Sequence, residues 1–178
     1  QARLDRLMEE LREEFPKFVL IDKSKSPFQK LIHNGLVVIT LGQMREYIQG
    51  YHSTMGQRVY VTPDWEDKSA ESRYLTLCHE RVHMRQFRRY TFLGMSFLYL
   101  LVPLPMGLAY FRARFELEAY GESIRAACEL YGPDHVRDPS YRRYILGQFT
   151  GPSYGWMWPF TGYLNRWYDA QLERVGAA

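Results

Sequence analysis

Residues 77–86 read LCHERVHMRQ, with His79 and His83 four positions apart and Glu80 directly after the first histidine. On a helix, positions i and i+4 share one face, so both imidazoles can reach the same cation. A neutral imidazole nitrogen is a good donor to zinc. Glu80 lies about 100° further round the helix, close to such an ion without facing it. From there a carboxylate takes a proton from an activated water instead of ligating the metal. The pattern points to hydrolysis, with His79 and His83 as metal ligands and Glu80 as general base.

Arg81 sits between the two histidines, where a zinc-protease helix usually carries an uncharged residue. At about 100° per residue it points nearly opposite the midpoint of His79 and His83, together with Tyr74, Arg85 and Arg88. It is therefore expected on the outer face, away from the metal. Leu75, Val82, Gln86 and Phe87 flank the histidine face, and Cys78 reads as a buried thiol turned away from it.

A catalytic zinc takes three protein ligands and keeps one position open. Downstream, FELEAYGES (115–123) offers Glu116 and Glu118. Measured from Glu116, the residues Arg114, Glu118, Glu122, Arg125 and Glu129 fall within roughly 160–240° and form a charged, solvent-type face. Glu116 lies opposite, among Ala113, Ala119, Tyr120, Ser123, Ile124 and Ala127. A carboxylate on an apolar face is costly to bury unless it is paired or bound to a metal. The competing reading is a buried salt bridge to an arginine. With two imidazoles nearby in sequence, Glu116 is the preferred third ligand and Glu118 a surface acid.

HExxH followed by a glutamate in an E-x-x-A setting resembles the gluzincin group of zinc metallopeptidases. Glu116-Leu117-Glu118-Ala119 is more closely similar to the E-x-x-A-Asp helix of the heat-shock and prenyl-protein membrane metallopeptidases. It is also similar to small single-domain bacterial proteins carrying HExxH and an ExEA[Y/D] segment. The resemblance covers roughly residues 57–131, and its specific part is the two short motifs. It implies a zincin-like fold, a zinc cofactor and a peptide or protein substrate. It also implies that a sheet edge above the metal helix holds an extended substrate, here 57–62 (QRVYVT). Those families usually place Asp four residues after the ligand glutamate to steady a ligand histidine, and here that position is Tyr120. The Tyr120 hydroxyl or that of Ser123 is left to do the job. Such hydrolases also need a Tyr or His for the oxyanion; His135, Tyr141 and Tyr154 qualify by type only, while His33 and His52 read as strand or loop surface residues.

The elements that must position these groups start with Leu4, Leu7, Met8 and Leu11, whose spacing predicts an amphipathic helix over 2–14, stopped at Phe15-Pro16. KFVLID (17–22) reads as a strand. FQKLIHNGLVVITL (28–41) reads as a hairpin turning at Asn34-Gly35, and 44–52 and 57–62 as two further strands turning at Met55-Gly56. Together these predict a small antiparallel sheet. Ser69, or else Ser72, caps the histidine helix. The Glu116 helix spans 112–131 and ends at Gly132-Pro133. The tail is rich in aromatics, Gly and Pro, with Trp156 and Trp158 expected to pack the core, and a last helix lies at 162–174. The fold class expected is α+β and zincin-like: a small antiparallel sheet, then the active-site helix, then a mostly helical C-terminal half, all in one domain over 1–178.

Between the ligand helices, residues 92–111 carry no charge at all. About 20 apolar residues can span a bilayer, yet a single span would put His83 and Glu116 on opposite sides. The segment must therefore double back, at Pro103-Leu104-Pro105, as a buried helical hairpin or as a dip into the membrane interface. His83 lies 21 residues before Leu104 and Glu116 only 12 after it. Straight antiparallel helices would misalign the ligands by about 13 Å, which predicts a break in the first limb between Tyr90 and Met95, where Thr91 and Gly94 permit it.

Of the 178 residues, 46% are hydrophobic and 24% charged, which suits a globular protein with a real core. The net charge of +3 is small and no nucleic-acid motif is present. Two cysteines make no disulfide framework and lean toward a reducing, cytoplasmic compartment. Starting at Gln1, the chain is expected to be a trimmed or processed product, and residues 1–15 lack an apolar signal core. The function expected is a zinc-dependent hydrolase, and the resemblance implies a peptidase. The alternatives are a non-catalytic, zinc-stabilised binding protein, with membrane-peripheral placement as one form of it, and a metal-free cluster with the same side chains hydrogen-bonded.

Overall fold

Ala2–Glu14 forms α1, whose Leu4, Leu7 and Leu11 are buried as the helical spacing requires. The computed structural model describes residues 1–27, 29–30, 52–96, 110–151 and 157–177. By internal packing the chain divides into Gln1–Phe87 and Arg88–Ala178. The described chain is mostly helical with one small sheet, an α+β arrangement.

In the first unit, β1 (Val19–Asp22), β2 (Ser53–Met55) and β3 (Arg58–Val61) form a sheet of order β1-β3-β2. The expectation of an antiparallel sheet is corrected: β1 runs parallel to β3, with Val19 opposite Arg58 and Asp22 opposite Val61, and only β2 pairs antiparallel. Parallel strands need a connection of a dozen residues or more, and residues 23–57 lie between β1 and β3. The tight turn between β2 and β3 uses Gly56 at φ +64°, a conformation that costs glycine nothing. The expectation that 57–62 is an edge strand is also corrected. β3 is the central strand, its backbone groups committed to β1 on one side and β2 on the other. The hairpin expected at Asn34-Gly35, the strand expected over 44–52 up to Tyr51, and His33 lie outside the described residues.

The histidine helix, α2, runs from Ala70 to Tyr90. Ser69 is its cap: its Oγ accepts from the Ser72 backbone N–H at 3.1 Å, satisfying one of the free donors of the first turn. Arg81 does point away from the histidines, but its face is covered by α1 and is not bare to solvent. Arg81 donates to Glu14 at 2.7 Å and to Glu10 at 2.8 Å, and Arg85 donates to Glu14 at 2.6 and 2.9 Å. The Arg85 guanidinium, followed by that of Arg81, holds the Glu14 carboxyl below its ordinary value against the opposing effect of burial. A depressed carboxylate contributes stability above its unfolded pKa and loses it as pH falls through the folded one. Glu14→Gln is therefore expected to cost about 1–2 kcal/mol at neutral pH and almost nothing near pH 3. Urea melts of both proteins at the two pH values check this, and an equal cost at both would refute it.

In the second unit, Thr91 follows α2 at φ +61° and the chain restarts as a short helix, α3 (Phe92–Ser96). This is the break expected between Tyr90 and Met95. The turn at Pro103-Leu104-Pro105 lies outside the described residues. Among the described residues no helix is long and apolar enough to cross a membrane.

Helix α4 (Tyr110–Tyr131) buries Ala113, Glu116, Ala119, Tyr120, Ile124 and Ala127, while Arg114, Glu118 and Glu129 are exposed. Gly132, at φ +88°, ends it. Two further helices, not expected from the sequence, follow in the aromatic-rich tail: α5 (Pro133–Arg137) and α6 (Pro139–Thr150). Asp138 accepts from the Ser140 N–H at 2.6 Å with Pro139 at the first helical position, a start signal obscured by the surrounding aromatics. The last helix, α7, spans Thr161–Arg174. Ile124, Phe149, Leu164 and Tyr168 are fully buried, and the Tyr168 hydroxyl donates to the Val136 carbonyl at 2.7 Å.

Candidate metal centre

His79 and His83 project from successive turns of α2 with their ring planes at 71° and centroids 4.9 Å apart. Their Nε2 atoms face one another at 3.1 Å. Two imidazole nitrogens sharing one tetrahedral zinc would stand about 3.3 Å apart, given Zn–N bonds of about 2.05 Å. The pair is thus held close to the spacing that the ion would impose.

The tautomer of His83 is set by a neighbour. Its Nδ1 lies 2.9 Å from Gln86 Oε1, an atom that can only accept, so the ring proton is on Nδ1 and Nε2 carries the lone pair that it turns toward His79. Gln86 is 3% exposed and His83 8% exposed, so this bond is shielded from water. The support expected from Tyr120 or Ser123 comes from Gln86 for this ring, and Ser123 Oγ donates to the Ala119 carbonyl of its own helix at 3.2 Å. Gln86 lies three residues after His83 on a helix, so its spacing alone could have marked it as the partner. Gln86→Leu is expected to weaken zinc binding about 10–100-fold, the usual effect of deleting such a partner. A competition titration with a chromogenic chelator measures it, and unchanged affinity would remove Gln86 from the site.

Glu80 is 5% exposed and accepts a hydrogen bond of 2.7 Å from the Thr54 hydroxyl of β2. The sheet, through β2, thus fixes the orientation of the general-base candidate. The Glu80 charge acts on two basic residues of the first unit, Lys23 and His52. Lys23, at the end of β1, is fully buried; burial pushes its amine down to about 8, while Glu80 works in the opposite direction. His52, read from sequence as a surface residue, is half-buried against Trp65, with ring centroids 5.3 Å apart. Its Nδ1 accepts from the Thr62 N–H at 3.3 Å, which leaves the ring proton on Nε2. Burial lowers its pKa, and the Glu80 charge opposes that shift.

Glu116 is 2% exposed, on the apolar face of α4 where its helical position puts it. Its neighbour Phe115 packs edge-on against Tyr90 at the end of the histidine helix, with centroids 5.2 Å apart. His79, His83 and Glu116 each offer a donor atom within 4.8 Å of the others, a group that could hold a metal ion. Glu118 is exposed, in keeping with a surface acid.

The oxyanion candidates are placed less usefully. His135 lies between Tyr131 and Tyr141, with centroids at 4.8 and 4.7 Å and the rings tilted at 53° and 50°, and burial raises the Tyr141 hydroxyl well above its ordinary value. Tyr154 and Trp156 lie outside the described residues. Trp158, expected in the core, is half-buried beside exposed Phe160 and Tyr163.

Compared with family models, curated proteins and solved structures, the chain matches none of them. A functional reading therefore has to come from the residues themselves.

Proposed function

We propose that the protein is a zinc-dependent hydrolase, a gluzincin-like peptidase of zincin type, with His79, His83 and Glu116 as metal ligands and Glu80 as general base. The observation that carries the reading is the pair of opposed Nε2 atoms 3.1 Å apart, with the His83 proton held on the far nitrogen by Gln86. The donor set of two imidazoles and a carboxylate suits a zinc ion with one open position. When bound, zinc would supply a Lewis acid that acidifies water and polarises a carbonyl. Glu80, steered by Thr54, would take the proton from the attacking water and pass it to the leaving amine.

The test is metal analysis of freshly purified protein together with hydrolysis of an unstructured peptide. One zinc per chain, lost in His83→Ala, and peptide cleavage by the wild type are expected. Absence of metal binding, or binding indifferent to His83, would sink the reading.

A second reading is a zinc-stabilised protein that binds at a membrane surface without turnover. Exposed Leu93, Tyr110, Phe160 and Tyr163, the last three around Trp158, favour it. Full zinc occupancy without cleavage of any unstructured substrate would select it over the first.

A further inference from the structure

The charge-free run of residues 92–111 takes no part in the proposed reaction. Near its start Leu93 is 79% exposed, and near its end Tyr110, which opens α4, is 48% exposed. Arginines flank the run on both sides, Arg88 and Arg89 before it and Arg112 and Arg114 after it. No acidic residue stands between Glu80 and Glu116.

The second unit sets what lies beside Tyr110. Trp158 touches Tyr110 and Tyr163, with ring centroids 5.9 and 6.0 Å away, and Phe160 at 5.0 Å. The first turns of α4 and α7 therefore meet at one indole, and Phe160 and Tyr163 are 50% and 40% exposed. Helical spacing then gives each helix the same pair of side chains. Arg114 stands four residues after Tyr110 and Arg166 three after Tyr163, so each shares a face with its ring. Each lies about 5 Å further along its helix than that ring. Both arginines are exposed, and Arg166 lines the same open cleft as Trp158, Phe160 and Tyr163. Neither helix has an acid in its first turn.

A contiguous group of exposed rings marks a contact surface, and its chemistry selects the partner. Rings with an apolar body and a polar edge settle at the boundary between lipid headgroups and acyl chains. Arginines one turn behind them stand at the depth of the phosphates, where an anionic leaflet attracts them. A layer of rings and then a layer of cations, repeated on two helices, matches the layers of a bilayer surface.

We propose that the second unit docks on an anionic membrane surface through Tyr110, Trp158, Phe160 and Tyr163, with Arg114 and Arg166 against the lipid phosphates. As a membrane contact it rests on the second reading above, to which it gives a lipid class and contact residues. It needs no turnover at Glu80, so it fits the hydrolase equally.

The full chain is floated with vesicles of phosphatidylcholine alone and of equal parts phosphatidylcholine and phosphatidylglycerol. It is expected to rise with the mixed vesicles, to stay behind with the neutral ones, and to be released by salt, which screens the arginine contacts. Arg114→Gln with Arg166→Gln is expected to lower the mixed-vesicle partition coefficient about 25-fold, or about 5-fold for each arginine. Phe160→Ala with Tyr163→Ala is expected to lower it about 10-fold. Arg6→Gln with Arg12→Gln removes the same charge from α1 and is expected to keep binding within about twofold, the docking face being elsewhere. The substituted side chains are all exposed, so the variants are expected to melt with the wild type. Absence of binding to the mixed vesicles, binding untouched by the aromatic pair of substitutions, or an equal loss in the α1 control would overturn the proposal. So would dimers in sedimentation that Phe160→Ala with Tyr163→Ala dissolves while vesicle binding stays, since the rings would then face a second copy of the chain. None of these measurements reads peptide cleavage, so a failed membrane contact and a failed hydrolase reading are separate results.

Discussion

Glu80→Gln is expected to bind zinc as the wild type does and to cleave an unstructured peptide about a thousand-fold more slowly, the scale of losing a general base. The substitution keeps the size of the side chain and an oxygen that can accept from the Thr54 hydroxyl, so the seat on β2 is preserved. It removes the capacity to take a proton. The proposed metal donors are untouched, because His79 and His83 present their Nε2 atoms to each other and the Nδ1 of His83 is held by Gln86, not by Glu80. Steady-state kinetics and zinc analysis on the same preparation check both halves. A variant with wild-type kcat would remove Glu80 from the chemistry, and one that lost zinc would make it a ligand or a structural prop.

Withdrawing zinc is expected to lower the melting temperature by about 10 °C. A ligand present at a thousand times its dissociation constant stabilises the folded state by about 4 kcal/mol, and for a chain of this length each kcal/mol moves the midpoint by about 2–4 °C. The effect should be large because the ion would bind the folded state alone and add its binding free energy to it. Calorimetry with and without chelator measures the shift. His83→Ala and Glu116→Ala are expected to melt at the chelated wild-type temperature and to ignore added zinc. Glu118→Ala, which changes an exposed acid two residues from Glu116, is expected to keep the full zinc-dependent shift. If Glu118→Ala abolished that shift and Glu116→Ala did not, the third ligand would be misassigned.

Much of the site was legible in the chain because helices impose a short, regular period. The i, i+4 spacing of His79 and His83, the side of α4 on which Glu116 lies, the turning away of Arg81 and the cap at Ser69 all follow from it. The break at Thr91 was legible for a different reason: the unequal lengths of chain on either side of Leu104 demanded it. Sheet architecture was not legible to the same degree. Alternation of apolar residues marks a strand but carries no information about which strand lies beside it or in which direction, so a mixed sheet with β3 at its centre was read as antiparallel with β3 at its edge.

The sequence by itself determined which side chains could ligate a metal and which carboxylate could act beside them, since those relations lie within single helices. Only the tertiary structure decided what surrounds them. Thr54 comes to Glu80 from a strand 26 residues away in the chain. Nothing in KSKSP marks Lys23 as different from Lys25, yet one is fully buried and the other exposed. The reason is physical: a lysine's burial depends on what packs over it and on whether a counter-charge arrives from elsewhere, and neither is written in its neighbours.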